Sequence, residues 1–303
     1  MTPRWAIVVL SWNGRDDTIA CLASTRRLTR DDVVVICVDN GSDDGSADAV
    51  RSAFPEVELI ETGRNLGFAG GNNAGIARAR ELGASWIVLL NNDATIAPDA
   101  IDGFEQVAAD RPGAGVLAGK VLFADPPDRI WFAGQRFNAA LGYSGRPRGY
   151  GKPDGRRYDE VVAVDRAVGA LMAVSSEAID HVGVMDDRLF AYVEDVDWCL
   201  RMRAGGYGVV FAPGARAWHR VSASGGGEHV STHPLYYGAR NTIVVCERHA
   251  PLGRVGTLTR RAVVAATFGL RAVFVSNRRD ALRAASSGVR DAIAGRLGKR
   301  PSG

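Results

Sequence analysis

Trp5-Ala6-Ile7-Val8-Val9-Leu10 and Val33-Val34-Val35-Ile36-Cys37-Val38 are two unbroken apolar runs. Each stops abruptly in polar turn residues, Ser11-Trp12-Asn13-Gly14 after the first and Asp39-Asn40-Gly41-Ser42 after the second. A short apolar run without alternation is the pattern of a strand buried on both faces, as in a parallel sheet covered by helices. Working outward, Asp16–Leu28 between the two runs reads as a helix. Ser46–Phe54 reads as a second helix, ended by Pro55, and Val57–Ile60 as a third strand. A Gly-rich stretch, Gly67–Asn73, leads into a helix over about Ala74–Leu82. Trp86–Leu90 is a fourth strand, ending in Asn91-Asn92-Asp93, and Pro98 opens a further helix. This alternation with short connections predicts an α/β fold with a mainly parallel sheet flanked by helices. Ligands in such sheets bind at the carboxyl ends of the strands, where Asp39 and Asp93 fall.

The second half is less regular. Asp125–Arg157 is rich in Gly, Pro and Arg and reads as an insertion or mobile loop. Asp165–Val174 reads as a strand, Ser175–Val182 as a helix, and Glu194–Ala204 as a helix with an Asp197–Arg201 pair at i, i+4, stopped by Gly205-Gly206. Tyr207–Phe211 is a strand, followed by Ala217-Trp218-His219. No internal repeat is present, and Gly225-Gly226-Gly227 is the one low-complexity tract.

Composition narrows the class. With 46% hydrophobic residues in 303, the chain has ample apolar material for a core without disulfides. Its four cysteines form no C-x-x-C pair, which excludes zinc-site spacing and points to reduced, buried thiols in a cytoplasmic setting. No apolar stretch reaches the roughly 18 residues of a membrane span, and the first residues lack a signal-peptide pattern. The net charge of +3 hides an asymmetry: from Arg254 to Arg300 eleven basic residues face two acidic ones, a net +9. Val263-Val264, Phe268, Leu270 and Val273-Phe274, flanked by arginines, suit an amphipathic helix on an anionic membrane; a helix pair packed on the catalytic domain fits equally. The tail lacks regularly interleaved aromatics, so nucleic acid is not an expected partner.

Candidate chemistry sits at the strand ends. Asp39 can accept a hydrogen bond from a nucleobase imide N–H, although Asp-Asn-Gly-Ser is also good turn chemistry. Asn91-Asn92-Asp93 offers hard oxygen donors for Mg²⁺ or Mn²⁺, with a polar turn as the plain alternative. Gly67–Gly75 looks like a phosphate-cradling loop at a helix N-terminus. It does not match the dinucleotide pattern G-x-G-x-x-G, and its glycines equally permit tight packing. Phe190–Trp198 places Glu194, Asp195 and Asp197 within four positions. Acids favour a helix start, and Asp197 is assigned to Arg201, which leaves Glu194 and Asp195 for function. His219 gains a ligand role only if it approaches Asp93.

Taken in order, these elements resemble the family 2 glycosyltransferases of GT-A fold, over about Trp5–Asn241. The motifs are Ser11-Trp12-Asn13 after the first strand, Asp39–Ser42, an Asn-x-Gly-Phe-Ala-x-x-x-Asn segment at Asn65–Asn73, and a D-x-D-like Asn91-Asn92-Asp93. Gly169-Ala170, Glu194–Asp197, Trp218-His219 and Tyr236–Asn241 follow. The flavour is that of a bacterial rhamnosyltransferase-like branch that builds cell-envelope polysaccharides. The resemblance implies a GT-A, Rossmann-like domain over 1–250, with a nucleotide-binding half over about 1–120 and an acceptor half over about 121–250, and a basic helical extension over 251–303.

It also implies roles. Asp39 would bind the imide of uracil or thymine, with Ser11 and Asn13 lining the base pocket and Asn65, Gly71, Asn73, Asn91 and Asn92 on the donor side. Asp93 and His219 would hold a divalent metal, Mg²⁺ or Mn²⁺. Asp195 would be the catalytic base, with Glu194 beside it. Gly169, Ala170 and Trp198 would border the acceptor. One departure is Asn91, which stands where the motif has Asp and removes a charge while keeping an oxygen. The implied reaction is an inverting transfer from a dTDP- or UDP-sugar, dTDP-rhamnose among the candidates, to a hydroxyl of a glycan, lipid-linked or small-molecule acceptor. The implied location is cytoplasmic, or peripheral at the inner face of the membrane. The alternatives are a sugar-nucleotidyltransferase and a non-catalytic sugar-nucleotide or glycan-binding module.

Overall fold

A computed structural model describes residues 4–220 and 232–300; the Gly225–Gly227 tract lies outside the described residues. In chain order the first half comprises β1 (Trp5–Ser11), α1 (Arg15–Thr25), β2 (Val33–Asp39), α2 (Ser46–Ala53), β3 (Glu58–Glu61), α3 (Gly67–Glu81), β4 (Trp86–Asn91), β5 (Ala94–Ile96) and α4 (Ala100–Asp110). The second half comprises β6 (Ala114–Phe123), β7 (Ile130–Phe132), β8 (Phe137–Asn138), β9 (Tyr143–Ser144), β10 (Val162–Ala163), β11 (Leu171–Ser175), α5 (Ser176–Val182), α6 (Glu194–Ala204), β12 (Gly208–His219), α7 (His233–His249), α8 (Arg254–Val273) and α9 (Arg278–Ile293).

The main sheet runs β10-β12-β6-β11-β4-β1-β2-β3. The four strands β3, β2, β1 and β4 are mutually parallel, as the unbroken apolar runs of β1, β2 and β4 predict. β11 is antiparallel to β4 and β6, and β12 returns parallel to β6. Register fixes the working edge: Ser11 lies opposite Asp39, and Leu10 opposite Asn91, so three polar strand ends form one row. β5 pairs antiparallel with the end of β12, setting Ala94 opposite His219.

Four elements depart from the sequence reading. Gly67–Asn73 is the opening of α3 and not a loop, because its glycines let the helix settle on the sheet. A Cβ added at Gly71 would come 2.4 Å from Leu10 Cδ1, and one at Gly75 2.3 Å from Val8 Cγ1. The strand expected over Asp165–Val174 is confined to Leu171–Ser175; the backbone N–H groups of Asp165 and Arg166 donate instead to the Gln135 carbonyl. β12 continues past Phe211 to His219, with its register shifted between Ala212 and Arg216, where Pro213 has no N–H to give. The 125–157 insertion carries β7 against β6 and a small β8–β9 hairpin.

Core residues from both faces of the sheet form one cluster centred on Ile7, Val8, Leu22, Ile36, Ile87 and Phe104. The four cysteines are buried and free; burial pushes the Cys37 thiol up to about 12, with Asp39 adding to it. A second cluster joins α7, α8 and α9 through Leu235, Tyr236, Ile243, Val264, Phe268 and Ala284. α9 lies so close to α7 that a Cβ at Gly288 would meet the Tyr236 carbonyl oxygen at 2.3 Å. Buried Asp197 fastens α6 to α7, with Arg201 at 2.9 Å, Arg248 at 2.8 Å and His249 at 2.9 Å. No helix among the described residues is long and apolar enough to cross a membrane.

Candidate active site

A cavity of about 950 Å³ opens at the polar ends of β1, β2 and β4. That is near the upper end of ligand pockets, with room for more than one small ligand. Four parts of the chain line it. The first is Leu10–Gly14 after β1; the second is Asn40 with Asn65, Gly67 and Phe68; the third is Asn91–Asp93; the fourth is Phe190–Tyr192 with Tyr237 and residues of α9 and the segment beyond it.

The β1 and β2 ends are cross-tied. The Asn13 backbone N–H donates to Ser42 Oγ at 3.1 Å, and Asn13 Oδ1 accepts from the Asp43 N–H at 2.9 Å. Asp39 is buried, and both carboxylate oxygens accept from the Ser42 N–H, at 3.1 and 3.0 Å, so the turn role is realised. Asn40 holds the next loop, donating to the Gly67 carbonyl at 3.1 Å and accepting from the Leu66 N–H at 3.0 Å. Trp12 stands half-exposed in the cavity wall.

At the end of β4, Asn92 Nδ2 donates to Thr18 Oγ1 at 3.0 Å. The β5–β12 pairing brings His219 Nε2 to 2.8 Å from Asp93 Oδ1, and Asn91 Nδ2 lies 3.4 Å from the same nitrogen. Both side chains are nearly buried, and His219 Nδ1 has no hydrogen-bond partner among the described residues. Two cis ligands of an octahedral ion held at about 2.1 Å lie about 3 Å apart, so the spacing fits a shared cation. Among the described residues no third His, Cys, Asp or Glu joins them.

Glu194 and Asp195 open α6 directly after an unusual backbone stretch. Phe190, Tyr192 and Val193 all have positive φ, at 67°, 65° and 73°. Such conformations cost about 1–3 kcal/mol each and persist only when the surroundings dictate them. Here buried Asn241 dictates them: its Nδ2 sits 2.9 Å from Leu189 O, 2.9 Å from Ala191 O and 2.7 Å from Tyr192 O. Arg166 Nη2 donates to Asp195 Oδ2 at 3.0 Å, while Asp195 Oδ1 and Glu194 Oε2 are buried without a hydrogen-bond partner among the described residues. Burial, with the neighbouring Asp195 charge, pushes the Glu194 carboxyl up to about 8.

Of the residues expected from sequence, Asn13, Asn65, Asn91, Asn92 and Asp93 line the cavity. His219 stands behind Asp93. Asp39, Glu194 and Asp195 are buried next to lining residues rather than among them. Ser11 is buried, bonded to Thr18 Oγ1 at 2.8 Å. Gly71 packs inside α3 against β1. Asn73 spends both ends of its amide on the Met185 backbone, at 2.9 and 3.2 Å. Gly169 is small because the Phe68 ring would meet its Cβ at 2.4 Å, and Ala170 is core. Trp198 is buried, its indole N–H donating to the Gly183 carbonyl at 2.8 Å, so its ring faces the interior. Sequence reasoning passed over Arg166 and gave no role to Asn40 or Asn241, although both lie inside the motifs Asp39–Ser42 and Tyr236–Asn241. Apart from the Arg240 Nε bond to Asn241 Oδ1, their side chains bond to groups distant in the chain, which no local spacing announces.

The sequence model described as glycosyl transferase family 2 matches residues 6–176, more than half of the chain. The chain belongs to that family. It is similar to the N-acetylglucosaminyl-diphospho-decaprenol L-rhamnosyltransferase of Mycobacterium tuberculosis, 28% identical over 82% of this chain and 86% of that protein. It is also similar to the dTDP-rhamnosyl transferase RfbF of Shigella flexneri, 25% identical over 81% of both chains. In fold, this family 2 glycosyltransferase resembles the mannosyltransferase PcManGT from Pyrobaculum calidifontis, solved with GDP-Man and Mn²⁺. The TM-score is 0.58 at 17% identity, covering 99% of this chain and 77% of the other. S. aureus TarS 1-349 gives a TM-score of 0.59 at 12% identity, covering 96% and 81%. The GT-A architecture expected from sequence is thus the one observed.

Proposed function

We propose that this glycosyltransferase moves a sugar, L-rhamnose being the leading candidate, from a dTDP- or UDP-linked donor to a hydroxyl of a glycan or lipid-linked acceptor, with inversion. The observation that carries the reading is that Asp93, which lines the cavity with Trp12, Asn13 and Asn40, is met from behind by His219 at 2.8 Å. Asn13 and the Asp39 turn take the pyrimidine, its imide N–H directed at Asp39, and Trp12 stacks on the ring. Asp93 and His219 would hold a divalent cation, with Asn91 beside them, and when bound it would supply charge neutralisation at the leaving diphosphate. Arg166 holds Asp195 by one oxygen and leaves the other for the proton of the attacking hydroxyl. The acceptor's hydroxyl oxygen bonds to the anomeric carbon, its proton passes to Asp195, and the bond to the diphosphate breaks with its electron pair. Burial and the neighbouring Asp195 charge raise the Glu194 carboxyl, which favours its neutral form and disfavours a second charge beside Asp195.

Screening dTDP- and UDP-sugars by thermal shift with Mn²⁺ identifies the donor, since a ligand of the folded state raises apparent stability. Asp195→Asn is then expected to abolish turnover while donor affinity stays within twofold. Equal loss of both, or full activity after exhaustive EDTA treatment, counts against the base or the cation respectively.

The membrane contact is proposed on separate grounds. Val255 at 80% exposure, Leu258 at 64% and Leu270 at 62% share the outward face of α8, and Phe274, just past its end, is 82% exposed, while Val264 and Phe268 face α7 and α9. Exposed Arg254, Arg278 and Arg279 stand at the two ends of this face. An apolar stripe with basic flanks is complementary to an anionic bilayer surface. Flotation with phosphatidylglycerol vesicles is expected for the full chain and lost in Leu270→Glu/Phe274→Glu. Equal flotation of both would remove the contact.

A further inference from the structure

The cavity wall built by the C-terminal helices is unlike the rest of the site. Arg283 of α9 and Lys299 and Arg300 beyond it all line the cavity, and the one carboxylate contributed there is Asp280. That carboxylate is already engaged, by Asn277 Nδ2 at 2.5 Å and Arg283 Nη1 at 3.3 Å. Among the described residues Lys299 and Arg300 make no ion pair.

These cations are held in place by backbone, not left on a loose end. The Gly298 N–H donates to the Arg188 carbonyl at 2.6 Å, and the Gly298 carbonyl accepts from Arg240 Nη1 at 2.7 Å. Arg240 is itself buried between Tyr236 and Tyr237. The Arg300 N–H donates to the Tyr237 hydroxyl at 2.8 Å, and its guanidinium lies 4.8 Å from the Tyr236 ring centre. Lys299 Nζ stands 6.0 Å from the ring of Phe190. Both cations also lower the basicity of His233, after its burial, which places three basic groups around one space. Gathering like charges at a concave surface is unfavourable unless an anion completes it, and low-dielectric walls strengthen that attraction.

We propose that Arg283, Lys299 and Arg300 form a metal-independent seat for a diphosphate ester at this end of the cavity. The idea rests on the transferase reading for its two sources, the diphosphate of the sugar donor and a diphosphate carried by a lipid-linked acceptor. A cation held by Asp93 and His219 would serve one diphosphate from the sheet side, and this wall serves a diphosphate from the helical side. Two adjacent phosphates, with several negative charges and many acceptor oxygens, match guanidinium and ammonium donors better than a neutral glycan does.

The test uses the full chain in EDTA, with inorganic pyrophosphate as the probe in calorimetry. Saturable binding is expected, weakened at least tenfold in Lys299→Gln/Arg283→Gln. Asp280→Asn is expected to tighten it, a gain that misfolding cannot imitate. Unchanged affinity in the double variant, or no pyrophosphate binding by the parent, overturns the seat. Competition then separates the sources: displacement by farnesyl diphosphate but not by dTDP or UDP assigns the acceptor, and the reverse assigns the donor. Displacement by neither overturns the proposal. Pyrophosphate binding by a chain that transfers no sugar would sink the transferase reading and leave the seat standing.

Discussion

Asn241→Ala removes one amide from the interior and is expected to cost more in catalysis than in stability. The Asn241 amide has two N–H donors within 2.9 Å of three carbonyl oxygens on Leu189, Ala191 and Tyr192. A net hydrogen bond is worth about 1 kcal/mol, and a buried carbonyl left unpaired costs about 1–3 kcal/mol. Leu189 O keeps other donors, Arg240 Nη2 and the Ala191 N–H, so the loss falls mainly on the other two. The expected destabilisation is roughly 2–4 kcal/mol, or a fall in Tm of roughly 3–6 °C for a domain of this size. The positive-φ stretch would relax once released, which offsets part of that cost and moves Glu194 and Asp195. A displacement of about 1 Å at reacting groups costs on the order of 10² in rate. Urea unfolding with steady-state transfer kinetics on the same preparation checks both numbers. Asn241→Asp, the same shape with its oxygens facing carbonyls, should be worse than alanine. An Asn241→Ala protein within 0.5 kcal/mol of the parent (roughly half of one hydrogen bond) and within about twofold in kcat would refute the clasp.

Gly75→Val drives a side chain into Val8 and should cost about 1–3 kcal/mol or more in thermal unfolding. Glu194 holds its proton more tightly folded than unfolded, so the fold loses stability as pH rises from the ordinary carboxylate value through about 8. Glu194→Gln should flatten that slope, as read by unfolding at several pH values; an identical slope would show that the carboxyl is not held in this way. Trp12→Ala should weaken donor binding by about 1–3 kcal/mol, the usual worth of a stacked base, with kcat at saturation little changed.

What was readable in the sequence follows from the range of the forces involved. β1, β2 and β4 are legible because burial on both faces writes itself as apolar runs of five or six residues, and their ends are legible because turns need particular residues. The Asp93–His219 meeting depends on β5 pairing with β12, a long-range contact that neither run encodes alone. Gly71 shows the opposite failure: its local company suggests a phosphate loop, while its tertiary neighbour Leu10 makes it a packing residue. Trp198 sits among carboxylates in the sequence and inside the core in space, because consecutive residues of a helix point in different directions.

Residues near both ends of the described chain line the cavity, Leu10 at one extreme and Arg300 at the other. The parallel strands can pair as soon as they leave the ribosome, yet the pocket has no complete wall until the last turn beyond α9 is made. A nascent or prematurely stopped chain would thus carry the polar strand-end groups without an enclosed chamber. Such a product would be idle rather than misdirected, since water and stray alcohols would face a sugar donor that nothing holds in place.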